Sequence, residues 1–196
     1  MTRMQRAVHV VGVGMIPFTK PGASDPYTVM GARAAKLALE DAGVNYKDVQ
    51  QAYVGYVYGD STSGQAAIYG VGLTGIPVFN VNNNCSSGSS ALFLARQAVE
   101  SGMVECAIAL GFDQMVPGAL KGAYDDRPSP MSRFADVMTA HQGYQADAPR
   151  AAQFFGGAGR DYIAQYGIRK DTFGRISVKA RQHAARNPLA VRSEEH

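Results

Sequence analysis

The 196-residue sequence predicts an α/β fold, and three observations predict it. β-branched apolar runs recur along the first 112 residues. Stretches with helical spacing lie between them, and glycines with capping-type residues punctuate the joins. Strands alternating with helices point to an α/β sheet with crossover connections.

Taken in order, residues 7–13, "AVHVVGV", read as a buried strand, β-branched and containing glycine at its end. Asp25-Pro26 reads as an N-cap followed by proline at the first helical position. In the helix that follows, Met30, Ala34, Leu37 and Asp41 fall along one side, and Val29, Ala32 and Leu39 fill others. That helix is expected to be largely buried and to end at Gly43. "QAYVGYVYG" (51–59) reads as the second strand, Ser61 to Leu73 as a helix, "IPVFNV" (76–81) as the third strand, 86–101 as a helix closed by Gly102, and "VECAIALGF" (104–112) as the fourth strand. From Asp113 the character changes to proline, glycine and polar residues without clear periodicity, an excursion from the core. Two helices follow, at about 149–166 and 171–186, with Phe154, Phe155, Tyr162, Ile163, Phe173, Ile176 and Val178 on their faces. The expected division is a core of 1–115 and a loop and cap region of 116–196.

Composition excludes several classes of function. Apolar residues make up 46% and charged residues 18%, which is globular rather than disordered. A net charge of +3, with scattered Lys and Arg, points to neither nucleic acid nor an anionic membrane. No apolar run reaches the length of a membrane span. Two cysteines make no disulfide framework, so a reducing compartment is expected, cytoplasmic or, in a eukaryote, peroxisomal. The N-terminal apolar stretch is too short and glycine-broken for a signal peptide, and "RSEEH" is not a peroxisomal address.

One cysteine sits where chemistry is possible. "NVNNNCSSGSSA" (80–91) places Cys85 between an apolar strand and a helix, among small and polar residues. A helix N-terminus has unpaired N–H groups and the positive end of the helix dipole, which stabilise a thiolate and can hold a developing oxyanion. Small neighbours let backbone approach a substrate. The stretch therefore suits nucleophilic acyl transfer, best from a thioester. Free cysteine is also commonly a small buried hydrophobe, and placement alone leaves both roles open for Cys85. Cys106, inside "CAIAL", reads as core. The Asn82–Asn84 run also suits a plain turn.

Other signals fail. In "GVGMIP" the third glycine of a dinucleotide fingerprint falls at Pro17. No G-x-S-x-G elbow occurs. His9, His141, His183 and His196 have no metal-ligand spacing, and no metal is expected. "YGDST" (58–62) reads as a helix cap at Asp60 or Ser61 rather than as a catalytic carboxylate.

The stretch 55–115, "GYVYGDSTSGQAAIYGVGLTGIPVFNVNNNCSSGSSALFLARQAVESGMVECAIALGFDQM", resembles the thiolase domain of sterol-carrier-protein-type thiolases, also known as lipid-transfer proteins. "VVGVGMIPFTKPG" (10–22), "FFGGAGRDYIAQYGI" (154–168) and "ARNPLA" (185–190) resemble the same family, so the likeness covers nearly the whole chain. It implies a thiolase-like fold of two similar halves, of which this chain carries the N-terminal βαβαβαβ half plus a loop region. It implies Cys85 as the nucleophile and Met115, after the fourth strand, as a residue lining the substrate pocket, packing being its ordinary alternative. The implied reaction is thiolytic cleavage of 3-oxoacyl-CoA, or the reverse Claisen condensation, with coenzyme A as co-substrate and no covalently bound cofactor. The implied partner is a second copy in a homodimer, or a complementary C-terminal thiolase half. Family members run to roughly twice this length. The Gly-His-Pro histidine, the further histidine or asparagine and the second cysteine that complete the family's chemistry are absent here. The sequence is therefore expected to be a fragment, a truncated product or one part of a split enzyme, inactive alone. A non-catalytic subunit and a steroid side-chain aldolase-like protein are the competing expectations.

Overall fold

The structure, a computed structural model, describes residues 6–117, 124 and 126–191. It divides into two compact units, Met1–Ala119 and Leu120–His196.

The first unit is built on a three-stranded parallel sheet of β1 (Gln51–Gly55), β2 (Val78–Val81) and β3 (Ala107–Gly111), in the order β2-β1-β3. Helices α1 (Tyr27–Ala42) and α2 (Ser63–Tyr69) cover one face, and α3 (Ser87–Glu100) covers the other. A one-turn 3₁₀ helix, Tyr46–Asp48, leads into β1, with Asn45 Oδ1 accepting the Lys47 N–H at 3.0 Å. Because strand side chains alternate, β1 serves both layers. Ala52 and Val54 pack with Ala35, Ile68, Ile108 and Leu110, while Tyr53 packs with α3. All five β1 residues are buried, as a central parallel strand requires. The α3 layer is thin: Ala91, Ala95 and Ala98 face the sheet at 0, 6 and 4% exposure.

Most predicted elements form with shorter bounds, because flanking residues that suit a strand or helix lack ladder or helical hydrogen bonds. Three predictions fail for identifiable reasons. Residues 7–13 make no strand. Among the described residues they pair with no strand, and Val10, Val11 and Val13 are 71, 63 and 69% exposed. The stretch lies along α1 instead. A Cβ on Gly12 would lie 2.6 Å from Ala42 Cβ, and one on Gly14 would lie 2.9 Å from Leu37 C, so both glycines permit contact with helix backbone. The Val13 N–H donates to Asp41 Oδ2 at 2.8 Å. Second, α1 is less buried than predicted: only Gly31, Ala32 and Ala35 are buried. Its N-cap is Pro26, and no side chain caps it, Asp25 included. Gly43 closes it in the left-handed conformation, φ +63°, as predicted. Third, the cap of α2 is not a side chain of Asp60 or Ser61. The Asp60 carbonyl accepts from the Ser63 N–H (3.2 Å), the Ser63 hydroxyl (2.8 Å) and the Tyr56 hydroxyl (3.0 Å).

The second unit holds α4 (Ser132–Gln142), α5 (Arg150–Tyr166) and α6 (Thr172–Ala184). Helices α5 and α6 were expected; α4 was not, because its segment carries little apolar periodicity.

Candidate active site

The turn from β2 into α3 holds itself together with its own polar groups, the habit of asparagine and serine near turns and caps. The Asn84 N–H donates to Asn82 Oδ1 (3.2 Å), the Asn83 N–H to Ser87 Oγ (2.9 Å), and Asn83 Nδ2 to Ser90 Oγ (2.9 Å). The hydroxyls of Ser86 and Ser87 donate back to the carbonyls of Asn83 (2.9 Å) and Asn84 (2.7 Å). Ser87 is thus both donor and acceptor, and is buried. Asn84 adopts φ +49°, a left-handed geometry that asparagine tolerates better than most side chains. Cys85 follows it, with a free and exposed thiol.

Glycines form the floor. A Cβ at Gly55, the last residue of β1, would lie 2.5 Å from Ser87 C and O and 2.8 Å from Gly88 N. One at Gly111, the last residue of β3, would lie 3.6 Å from Gly88 Cα, and one at Gly88 would meet nothing within 4 Å. The first turn of α3 therefore rests directly on the carboxyl ends of two parallel strands, the end where open α/β sheets place their ligands. No side chain caps α3, so its first-turn N–H groups are not taken up by a cap.

The loop after β3 is tied to this end of the sheet. Asp113 Oδ1 accepts the N–H groups of Val57 (3.0 Å) and Tyr58 (2.9 Å), and Gln114 Oε1 accepts that of Tyr27 (2.9 Å). Sequence reasoning missed both residues; a polar pair directly after an apolar strand was the one available signal. Met115 is half-buried, and its carbonyl accepts the Gly22 N–H at 2.9 Å. Met115 and Cys85 share no hydrogen-bond partner among the described residues.

Among the described residues no histidine hydrogen-bonds Cys85, and His141 pairs with Asp161 Oδ2 at 3.0 Å in the second unit. His196 lies outside the described residues, as does the 192–196 terminus. A groove of about 880 Å³ in the first unit is lined by Ser89 and Cys106 but not by Cys85. No cluster of three metal-ligating side chains occurs among the described residues. Cys106 is half-buried, and burial, with a smaller contribution from the Asp48 charge, pushes its thiol up. Among the described residues no helix is long and apolar enough to cross a membrane.

A parallel sheet between two helical layers, with a cysteine-bearing turn at its carboxyl end, is a thiolase-like arrangement, and residues 8–194 match the description "Thiolase, N-terminal domain". The chain belongs to the thiolase family. It is 48% identical over 189 residues to sterol carrier protein 2 of Gallus gallus, covering 95% of this chain and 34% of that protein. It is 41% identical over 200 residues to non-specific lipid-transfer protein-like 2 of Caenorhabditis elegans, covering 100% of this chain and 48% of that protein. A solved structure titled Ltp2-ChsH2(DUF35) aldolase shares the fold at a TM-score of 0.69 and 22% identity, over 92% of this chain and 44% of that one. The chain therefore spans between a third and a half of the curated relatives it matches. The family resemblance drawn from the sequence is confirmed.

Proposed function

We propose that this domain supplies the acyl-accepting cysteine of a thiolase acting on 3-oxoacyl-CoA in lipid or sterol side-chain metabolism. The observation that carries the proposal is the exposed Cys85 thiol at the uncapped start of α3, where Gly88 leaves open space beside the first turn. The Cys85 thiol gives its proton to a base and the thiolate attacks the C3 carbonyl, while backbone N–H groups at the start of α3 stabilise the oxyanion. The C2–C3 bond breaks, and its electron pair leaves on C2 of acetyl-CoA as an enolate that takes a proton from an acid. Coenzyme A, a co-substrate, gives its thiol proton to a base and attacks the acyl-sulfur carbonyl. The shortened acyl-CoA departs and the Cys85 sulfur is free again. The acid and base come from elsewhere, in a complementary C-terminal half or a homodimer partner. Met115 lines the acyl pocket.

The aldolase-like reading, with a partner chain, is supported by a fold likeness alone. Cys85 favours the thiolase, since the family resemblance implies loss of that cysteine in the aldolase-like relatives. The test is incubation of the chain with acetoacetyl-CoA and with a longer 3-oxoacyl-CoA, followed by mass spectrometry of Cys85 and a coenzyme A-dependent cleavage assay. The expected result is acylated Cys85 with no multiple turnover, since loss of members of a coupled nucleophile–base set costs several orders of magnitude. Multiple turnovers abolished by Cys85→Ala would make the domain self-sufficient. Turnovers that survive Cys85→Ala, or an unacylated Cys85, would overturn the reading.

A further inference from the structure

The strands β2, β1 and β3 run parallel, so the stretches that follow them leave the sheet at one end and in the same order: the Cys85 turn, the loop 56–62 and residues 112–115. The loop 56–62 therefore lies between the cysteine turn and the stretch that carries Met115. Its first residue continues the ladder. The Tyr56 N–H donates to the Val81 carbonyl at 3.3 Å, as the Phe112 N–H does to the Gly55 carbonyl at 3.1 Å. Beyond Tyr56 the ladder stops. Among the described residues the N–H groups of Val57 and Tyr58 share one acceptor, Asp113 Oδ1, at 3.0 and 2.9 Å.

The backbone that bears this oxygen is fixed on both sides of it. The Phe112 ring stacks with Tyr27 and with Tyr56, at centroid distances of 5.1 and 5.2 Å. Gln114 Oε1 accepts the Tyr27 N–H at 2.9 Å, and the Met115 carbonyl accepts the Gly22 N–H at 2.9 Å. Asp113 itself is exposed, so its place comes from these anchored neighbours rather than from burial. The far end of the loop is fixed as well. Thr62 has φ +66°, a left-handed conformation that a β-branched residue adopts only under constraint. Beside it, the Ser63 N–H, the Ser63 hydroxyl and the Tyr56 hydroxyl all donate to the Asp60 carbonyl. Backbone held in a costly conformation by its surroundings is concentrated at functional sites.

We propose that Asp113 is a positioning residue for acyl transfer at Cys85: by holding the Val57 and Tyr58 N–H groups on one oxygen, it fixes the loop 56–62 as the wall that aligns a 3-oxoacyl thioester with the sulfur. This role rests on Cys85 being the acyl acceptor. Asp113 acts through the loop and not on the reacting atoms. What it supplies is an acceptor at a fixed place. Its Oδ2 makes no hydrogen bond among the described residues, so an amide nitrogen can stand there without loss. A wall free to shift by about 1 Å lets the thioester carbonyl leave its line of attack, which can cost about a hundredfold in rate.

The test times acylation of Cys85 by saturating acetoacetyl-CoA, read by mass spectrometry, in the parent chain, Asp113→Ala and Asp113→Asn. Brief iodoacetamide labelling of Cys85 and amide exchange by NMR run beside it. Asp113→Ala is expected to slow acylation by about tenfold to a hundredfold, and to speed exchange at Val57 and Tyr58 by about tenfold or more. Iodoacetamide is small and needs no wall, so its rate at Cys85 is expected to stay within about twofold of the parent's. A general loss of structure would move both rates. Asp113→Asn keeps the accepting oxygen and is expected to return acylation and exchange to within about twofold of the parent. Asp113→Ser, whose hydroxyl falls one bond short of Oδ1, serves equally if Asp113→Ala does not fold. Acylation of Asp113→Ala at the parent rate would overturn the proposal while leaving Cys85 as the acyl acceptor. So would an Asp113→Asn chain as slow as Asp113→Ala, which would give the role to the charge. A parent chain whose Cys85 stays unacylated would overturn the acyl-transfer reading, and this role with it.

Discussion

Gly55 decides how near α3 sits to the sheet, because any Cβ there meets the backbone of Ser87 and Gly88 rather than a side chain that could swing away. Gly55→Ala is expected to cost about 1–3 kcal/mol in urea unfolding, the usual range for overpacking. Gly88→Ala faces open space and sits in a helix, so it is expected to be neutral or to stabilise by up to about 1 kcal/mol. The two cysteines should separate cleanly. Brief iodoacetamide treatment and peptide mapping are expected to show Cys85 alkylated first, since it is exposed, whereas Cys106 is half-buried with its thiol pushed up. Equal or reversed labelling in the folded chain would count against Cys85 as the nucleophile. Cys106 also gives stability a pH dependence. Unfolding relieves its burial and the nearby Asp48 charge, so above the ordinary thiol range the unfolded chain holds fewer protons than the folded one. The contribution is complete below that range and declines as pH rises through it towards the raised folded value. Urea titrations at about pH 7 and about pH 9.5 are expected to show a smaller decline in Cys106→Ala than in the parent chain. Identical declines would refute it.

Between elements, α4 meets α5 through the His141–Asp161 pair and through Gln142. Gln142 donates through Nε2 to the Gln153 carbonyl (2.9 Å) and accepts through Oε1 from Arg160 (3.1 Å), over the notch left by Gly157. Gly157→Ala would push that amide aside. It is expected to cost about 1–2 kcal/mol, the loss of one or two hydrogen bonds, with faster amide exchange in α4; unchanged exchange there would contradict it. The elements themselves were unequally legible. Those of the β1-to-β3 stretch were readable because "QAYVG", "PVFNV" and "CAIALG" are β-branched or apolar runs, the first and last closed by glycine. Cys85 was readable because it stands at a strand-to-helix join. Residues 7–13 carry the same strand signal, yet a strand is a pairing relation, and what lies beside Val10 and Val11 is not written in their own identity. Helix α4 was missed because its sequence, unlike those of α5 and α6, carries little apolar periodicity. Asp113 and Gln114 act through backbone N–H groups more than fifty residues away, a distance that no local pattern records.

At the scale of the first unit, large apolar side chains stand open on both helical layers, Val29 and Leu37 on α1 and Leu92 and Phe93 on α3. Such surface favours association. Light scattering at micromolar concentration is expected to report species larger than a monomer, and Leu92→Lys with Phe93→Lys should reduce them. A well-behaved monomer would contradict this. The alanine stripe of α3 has a different bearing. Ala91, Ala95 and Ala98 act as shims one methyl thick between helix and sheet, and the helix they seat begins just after Cys85. A thicker shim would lift the whole rod and carry the sulfur off its mark, and reacting groups displaced by about 1 Å can lose a hundredfold in rate. Core residues up to four helical turns from the thiol thus set its aim. Substitutions there would be screened by reaction rate before they were screened by folding.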